Sequence, residues 1–341
     1  MSRETRVKFI KDIETATNSK VICYLTGDRQ GFGTQIAFDV IPLIHSHLEA
    51  IGKVKTIGLY LYSIGGLTMA GWRLVTLIRE YCEKFIVLIP YKAQSCATLI
   101  ALGADEIIMR SMGQLSPVDP TVTGPYNPQL PGPIPGAPNS SLPVSVEDVV
   151  SYLDLAKENG IKESSEIKEV FLRLANTVQP LALGNVHRAR TQIRMLAKKL
   201  LHLHMKGRNI DKKIDKIVEI LTQKLFSHDY LISRKEAKET IDLNIVTKPE
   251  VETLMGNLYE DYSQEMYLGS IFNPDLFLGA ENSRELSIDR AFVESVNGAY
   301  AFRTKKIITR RQLPASLSQQ LIFDERLLQE EWVTIEAVKK C

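Results

Sequence analysis

The chain has 341 residues, 44% hydrophobic and 24% charged, an ordinary globular composition long enough for one large core or two modest ones. Its 42 basic and 40 acidic residues leave a net charge of +2, which excludes a strong electrostatic footprint for nucleic acid or anionic lipid. Four cysteines (Cys23, Cys82, Cys96, Cys341) lie far apart with no Cys-x-x-Cys pair, the pattern of reduced thiols in a cytoplasmic protein.

The N-terminus, MSRETRVKFIKDIE, is charged and lacks an apolar h-region, so no signal peptide is expected. Residues 4–16 read as a short amphipathic helix, and the apolar run Val21 to Leu25 as a buried strand. Apolar residues at helical spacing from Ile36 predict a helix reaching Ile51 and stopping at Gly52. Thr56 to Trp72 carries no charge, yet Ser63 and the Gly65-Gly66 pair interrupt it. Two short elements joined by a glycine turn account for it better than a membrane span. The reading continues with a strand to Tyr62, a helix from Leu67 to Tyr81, a strand from Phe85 to Ile89, a short helix from Cys96 to Gly103 and a strand from Glu106 to Met109. Strands alternating with helices predict an α/β fold with a mainly parallel sheet.

The rhythm breaks at Pro117. Nine of the fifteen prolines fall between Pro117 and Pro143, too many for a helix or a central strand. Residues 144 to about 226 then read as mostly helical, with a basic stretch from Val186 to Leu203 that suits a solvated face. Near the C-terminus, Asn297-Gly298 lies between strand-like runs Ala291 to Val296 and Tyr300 to Thr304, a hairpin signal. The expected organisation is a core over 1–143 with a proline-rich loop at 117–143, a helical segment and return to the core over 144–250, and a mixed C-terminal extension over 251–341.

Acyl transfer needs a nucleophile, a base and two N–H groups aimed at the developing oxyanion. Tyr62-Ser63-Ile64-Gly65-Gly66 follows a strand and precedes a helix, and its glycines let backbone N–H groups approach a ligand. Tyr91-Lys92-Ala93-Gln94-Ser95-Cys96-Ala97-Thr98 again joins strand to helix. Its serine sits where free N–H groups favour an anionic oxygen. Taken alone, Ser95 reads as a helix cap ahead of a catalytic residue.

The two segments together resemble the Clp protease/crotonase superfamily. Ser63-Ile64-Gly65-Gly66 is similar to its glycine turn, Ala93-Gln94-Ser95-Cys96 to its serine turn, and Gly66 precedes Ser95 by the family's interval of 29 residues (95 − 66). A narrower resemblance, to the serine dehydrogenase proteinase family, extends through Leu99 to Ile107, Ser116 to Pro120, Pro180 to Asn185 and His228-Asp229-Tyr230. It implies a ββα spiral core with an inserted helical segment, a Ser95 nucleophile, an oxyanion hole at Gly65, Gly66 and Cys96, and a homo-oligomeric serine endopeptidase. Family members usually carry Ser-Ala-Gly-Thr where this chain has Ser95-Cys96-Ala97-Thr98, and Leu-Gly-Pro where it has Leu115-Ser116-Pro117.

The base is less direct. The family position for a histidine falls at Pro120, beside Asp119, and no histidine occurs between His47 and His187. By resemblance, Asp229 falls on the third triad member, and His228 beside it is the favoured base. Asp119 and Asp229 are then orienting or alternative groups. The competing reading has His228-Asp229 cap the helix starting near Ser233. Lys92 is a further base candidate and Cys96 a further nucleophile candidate. His45, His47, His187, His202 and His204 lack zinc-ligand spacing, and no phosphate loop or dinucleotide fingerprint is present. The expected enzyme therefore takes a peptide or protein substrate, needs no metal or cofactor and no ATP of its own, and binds neither nucleic acid nor a membrane. Two other readings remain, a crotonase-type acyl-CoA hydratase or hydrolase and a catalytically silent assembly scaffold.

Overall fold

A computed structural model of the protein describes residues 3–118, 121–122, 125–130, 140–142, 144–225, 227, 229–312 and 321–339. Asp119, His228 and much of the proline-rich stretch lie outside the described residues. The chain divides into two compact units, Met1–Leu115 with Ser233–Cys341, and Ser116–Ile232.

The first unit opens with α1 (Arg3–Thr17), β1 (Lys20–Thr26), α2 (Val40–Ile51), β2 (Val54–Tyr62), α3 (Thr68–Arg79) and β3 (Cys82–Ile89). It continues through the two-residue β4 (Lys92–Ala93), α4 (Cys96–Leu102), β5 (Glu106–Met109) and the two-residue β6 (Gln114–Leu115). Helix α2 starts four residues later than its periodicity predicts. Ile36 is extended instead, because its N–H donates to the Gly65 carbonyl and its carbonyl accepts from the Leu67 N–H, both at 2.8 Å. The helix stops at Gly52, whose φ of 71° suits glycine and whose N–H closes on the Leu48 carbonyl at 2.8 Å.

The second unit contains the short pairs β7 (Thr121–Val122) with β10 (Val144–Ser145) and β8 (Gln129–Leu130) with β9 (Ser140–Ser141). Four helices follow: α5 (Val146–Glu158), α6 (Ser164–Thr177), α7 (Pro180–His202) and α8 (Ile210–Glu219). A π-helical turn, Ile220–Lys224, ends α8. Ile193, Leu196 and Leu200 of α7 and Ile214, Ile217 and Val218 of α8 are buried. Of the basic residues of α7, Arg188 and Lys199 are exposed, whereas Arg190, Arg194 and Lys198 are half-buried and Lys198 pairs with Asp215 of α8 at 2.5 Å, so the stretch is only in part a solvated face.

At the boundary lies β11 (Ile232–Ser233); the first unit then resumes with α9 (Arg234–Glu239), β12 (Ile245–Val246), α10 (Pro249–Glu265) and α11 (Pro274–Leu278). Three long strands complete it: β13 (Ser283–Ser295), β14 (Gly298–Gln312) and β15 (Leu321–Glu336). Its main sheet runs β12-β5-β3-β2-β1-β13-β14-β15 among the described residues. The first five strands are parallel and the last three antiparallel. The fold is a mixed α/β one.

Val21, Cys23, Leu25, Tyr60, Ile86 and Leu88 point to one sheet face, where Ile10 and Ile13 of α1 and Met255, Leu258 and Tyr262 of α10 cover them. The alternate residues face the other way, which is why β1 and β2 read as continuous apolar runs rather than alternating ones. A charged seam fastens β13 to that layer. Arg6, 4% exposed, donates through Nε to Glu294 at 2.9 Å and through Nη1 to Asp261 at 3.0 Å, and Tyr262 donates to Glu294 at 2.9 Å. A guanidinium this deep is tolerable only when so paired.

The C-terminal hairpin is much longer than its sequence signal, and its turn is displaced. Ser295 pairs with Gly298, so Val296-Asn297 form the loop. Gly298 is required by closeness, since a Cβ there would stand 2.7 Å from the Val338 Cα. No helix among the described residues is long and apolar enough to cross a membrane.

Candidate active site

Two strand-to-helix turns of the first unit meet. The first runs from Ser63 to Leu67, between β2 and α3. Ser63 is fully buried; its hydroxyl accepts from Thr26 at 2.7 Å and from the Gly65 N–H at 3.0 Å. Gly65 and Gly66 have φ of 122° and 150°, conformations that L side chains rarely adopt. A Cβ on Gly66 would collide with the Ile36 backbone. Because Ile36 bonds to the Gly65 carbonyl and the Leu67 N–H, the alternation of an extended chain turns the Gly66 N–H the other way.

The second turn carries Ser95, between β4 and α4. The Ser63 N–H donates to the Lys92 carbonyl and the Gln94 N–H to the Ser63 carbonyl, both at 2.9 Å, which fixes this turn against the first. Ser95 has φ 50° and ψ −114°, and its side chain accepts no capping hydrogen bond from α4. A capping serine has an extended backbone and bonds to the N–H two or three residues on. Ser95 does neither, so the capping account fails. A non-glycine residue held in such a region costs on the order of 1–3 kcal/mol, and such residues cluster at functional sites. The same sharp strand-to-helix turn presents the serine of hydrolases that use a nucleophile elbow.

The contact between the turns is close. A Cβ on Gly65 would stand 2.8 Å from the Ser95 Cβ and 3.2 Å from its Oγ. The half-buried Ser95 hydroxyl thus lies beside the glycine turn. Cys96 is the first residue of α4, where helix geometry leaves the N–H without an internal carbonyl. Its own thiol points inward: Sγ lies 3.3 Å from the Leu67 carbonyl, and burial pushes its pKa up to about 12. A thiol so protonated is no nucleophile at neutral pH. The arrangement can place an acyl carbon on the Ser95 hydroxyl with backbone N–H groups at its oxygen.

A cleft of about 510 Å³ opens against the glycine turn, with Ile64, Gly65 and Gly66 on one wall and residues of β13, β14 and β15 on the other. Ser95 does not line it; Gly65, in contact with Ser95, does.

Residues 2–130 match the family model of ClpP-like SDH-type serine proteinases. Both turns of the site fall within the matched segment, whereas β13, β14 and β15 fall outside it. Two relatives from Methanocaldococcus jannaschii cover more of the chain. The uncharacterized protein MJ0137 is 27% identical over 73% of this chain and 77% of its own length. The uncharacterized protein MJ1495 is 26% identical over 76% of this chain and 77% of its own.

The structure brings together Gly65, Gly66, Ser95 and Cys96. Asp229 lies exposed in the second unit, its N–H 3.3 Å from the Ser227 Oγ. The helix that His228-Asp229 would cap in the competing reading is capped by Ser233, which accepts from the Glu236 N–H at 3.2 Å. Lys92 is committed elsewhere: its ammonium pairs with Asp28, whose other oxygen accepts from the Tyr62 hydroxyl at 2.9 Å. His47 is wholly buried at 2.7 Å from the Ser295 Oγ, and desolvation pushes its pKa down to about 4. Thr26 and Ile36, which shape the glycine turn, carry no sequence signal, because their roles arise from chain segments that meet only in the fold.

Proposed function

We propose that the protein is a serine endopeptidase in which Ser95 is the nucleophile and the N–H groups of Gly66 and Cys96 form the oxyanion hole, with Gly65 shaping it. The observation that carries this reading is the left-handed, uncapped backbone of Ser95 in contact with Gly65. The match of residues 2–130 to a serine proteinase family supports it.

In this mechanism the Ser95 Oγ attacks the scissile carbonyl carbon while its proton passes to the base. The carbonyl oxygen becomes an oxyanion held by the two N–H groups. The C–N bond then breaks, the amine leaves with the proton from the base, and water hydrolyses the acyl-enzyme by the same steps. Preorganised N–H donors of this kind contribute roughly 3–4 kcal/mol each to the rate. His228 is assigned as base, with Asp229 and Asp119 as orienting groups, and the reaction uses no cofactor. The strand–turn–helix repeats of the first unit are read as the ββα spiral of crotonase-like proteins, with residues 144–250 as a helical insertion and return. The enzyme is assigned to the cytoplasm as a homo-oligomer.

A fluorophosphonate tests the reading. Wild type is expected to carry one adduct on Ser95, absent from Ser95→Ala. An unlabelled wild type that turns over acyl-CoA thioesters would move the protein to crotonase chemistry, and one inert to both would make it a scaffold. In the pH–rate profile, His228→Ala is expected to lose the acidic limb; an unchanged limb removes His228 from the mechanism.

A further inference from the structure

The cleft beside the glycine turn has a floor and far wall that the proteinase family match does not cover. Phe302 of β14 and Trp332 of β15 meet edge to face with ring centroids 5.5 Å apart, and both line the cleft with Ala37, Ile64 and Ala291. Pairing places them together: Phe302 lies opposite Ala291 on one side and Trp332 on the other.

The charged groups of the wall bond mostly to one another and to the backbone, with the Arg290 Nε alone buried without a partner among them. Arg290 donates from Nη1 to Glu330 at 2.9 Å and from Nη2 to the Gly33 carbonyl at 3.3 Å. Glu330 also accepts from Thr304 at 3.2 Å. Asp39 accepts the Trp332 indole N–H at 2.7 Å. What the cleft offers an occupant is therefore mainly aromatic and aliphatic surface. Two carboxylates against one guanidinium leave the wall with a formal charge of −1, which repels an acidic group. A volume of about 510 Å³ falls in the range of small-molecule sites and is ample for one large side chain with its flanking backbone. The Ile64–Gly66 wall belongs to the turn whose Gly65 touches Ser95.

Building on the proposed peptidase reading, we infer that this cleft is the specificity pocket of the enzyme and receives a large, uncharged apolar residue of the peptide substrate, of the Phe, Leu or Met class, next to the cleaved bond. Trp332 and Phe302 are its specificity-determining residues, and acidic residues are rejected there. The C-terminal strands thus complete a site whose nucleophile and oxyanion-hole residues lie within the first 115 residues.

Two measurements test this. A denatured polypeptide is digested with wild type, Ala37→Trp and Trp332→Ala, each checked for folding by circular dichroism, and the cleaved bonds are read by mass spectrometry. Large apolar residues should be enriched about tenfold over acidic ones at one fixed position beside the cut, the scale on which a hydrophobic pocket discriminates. Ala37→Trp, which fills the cleft from a partly exposed position, should erase that enrichment, and Trp332→Ala should change which residues are favoured. Cuts without enrichment, or enrichment that both variants keep, overturn the pocket and leave the Ser95 mechanism standing. If no bond is cut, the peptidase reading fails, and the pocket is judged on binding alone. The chain has two tryptophans, so Trp72→Phe with Ser95→Ala isolates the Trp332 emission. Acetyl-Ala-Phe-amide should shift that emission where acetyl-Ala-Asp-amide does not; no shift, or equal shifts, overturns the inference.

Discussion

Two serines of this chain follow a two-residue strand or end one, precede a short helix, and have opposite fates. Ser233 has an extended backbone (φ −71°, ψ 161°) and accepts from the Glu236 N–H at 3.2 Å, so it caps α9. Ser95 stands before α4 with φ 50° and ψ −114° and makes no such cap. Residue type and position relative to the helix are alike, so neither separates a capping serine from one that does not cap. The backbone does. A cap relieves the helix end, whereas Ser95 stores strain that the packing around it must hold in place.

The largest effect is expected at Ser95 itself. Ser95→Ala is expected to lower kcat for peptide hydrolysis by roughly 10⁴- to 10⁶-fold, with no loss of stability in urea unfolding; retained hydrolysis would make Ser95 another structural serine. Next comes the turn that faces it. Gly66→Ala puts a Cβ into the Ile36 backbone at a φ of 150°, and should cost about 2–4 kcal/mol of folding stability, read by the same unfolding midpoint.

A third effect bears on how any acid limb is read. His47 has a folded pKa near 4, below its unfolded value, so its stabilising contribution is present above about pH 6.5. As pH falls from there towards 4, the unfolded state takes up the proton first, and stability should drop by about 1.4 kcal/mol per pH unit. Thermal melts of wild type and His47→Gln across this window should show a slope in the first and a flatter line in the second. The smallest effect is at the other serine: Ser233→Ala should cost about 1 kcal/mol in unfolding free energy and leave kcat unchanged.

The parallel half of the sheet was legible because β1, β2 and β3 are buried on both faces, and such strands must be apolar throughout. The two turns were legible because glycine and serine occupy them for steric and chemical reasons that act locally. The C-terminal strands were not. The Ser283 to Asp289 stretch of β13 is mostly polar, and the Leu321 to Glu336 strand is rich in Leu and Glu, residues that favour helix. Pairing along β14 decides their conformation, a tertiary effect that outweighs propensity. The cleft formed by Phe302 and Trp332 inherits that silence, because its walls meet only once β13, β14 and β15 are in register. The base presents the opposite case, being named from motif resemblance alone, with His228 and Asp119 outside the described residues.

The most direct test of the account is a crystal structure of the protein phosphonylated by a peptidyl phosphonate. The phosphorus is expected on the Ser95 Oγ with one phosphonyl oxygen about 2.7–3.1 Å from both the Gly66 and Cys96 nitrogens. A phosphonyl oxygen turned away from both amides, or an adduct on another residue, would contradict it.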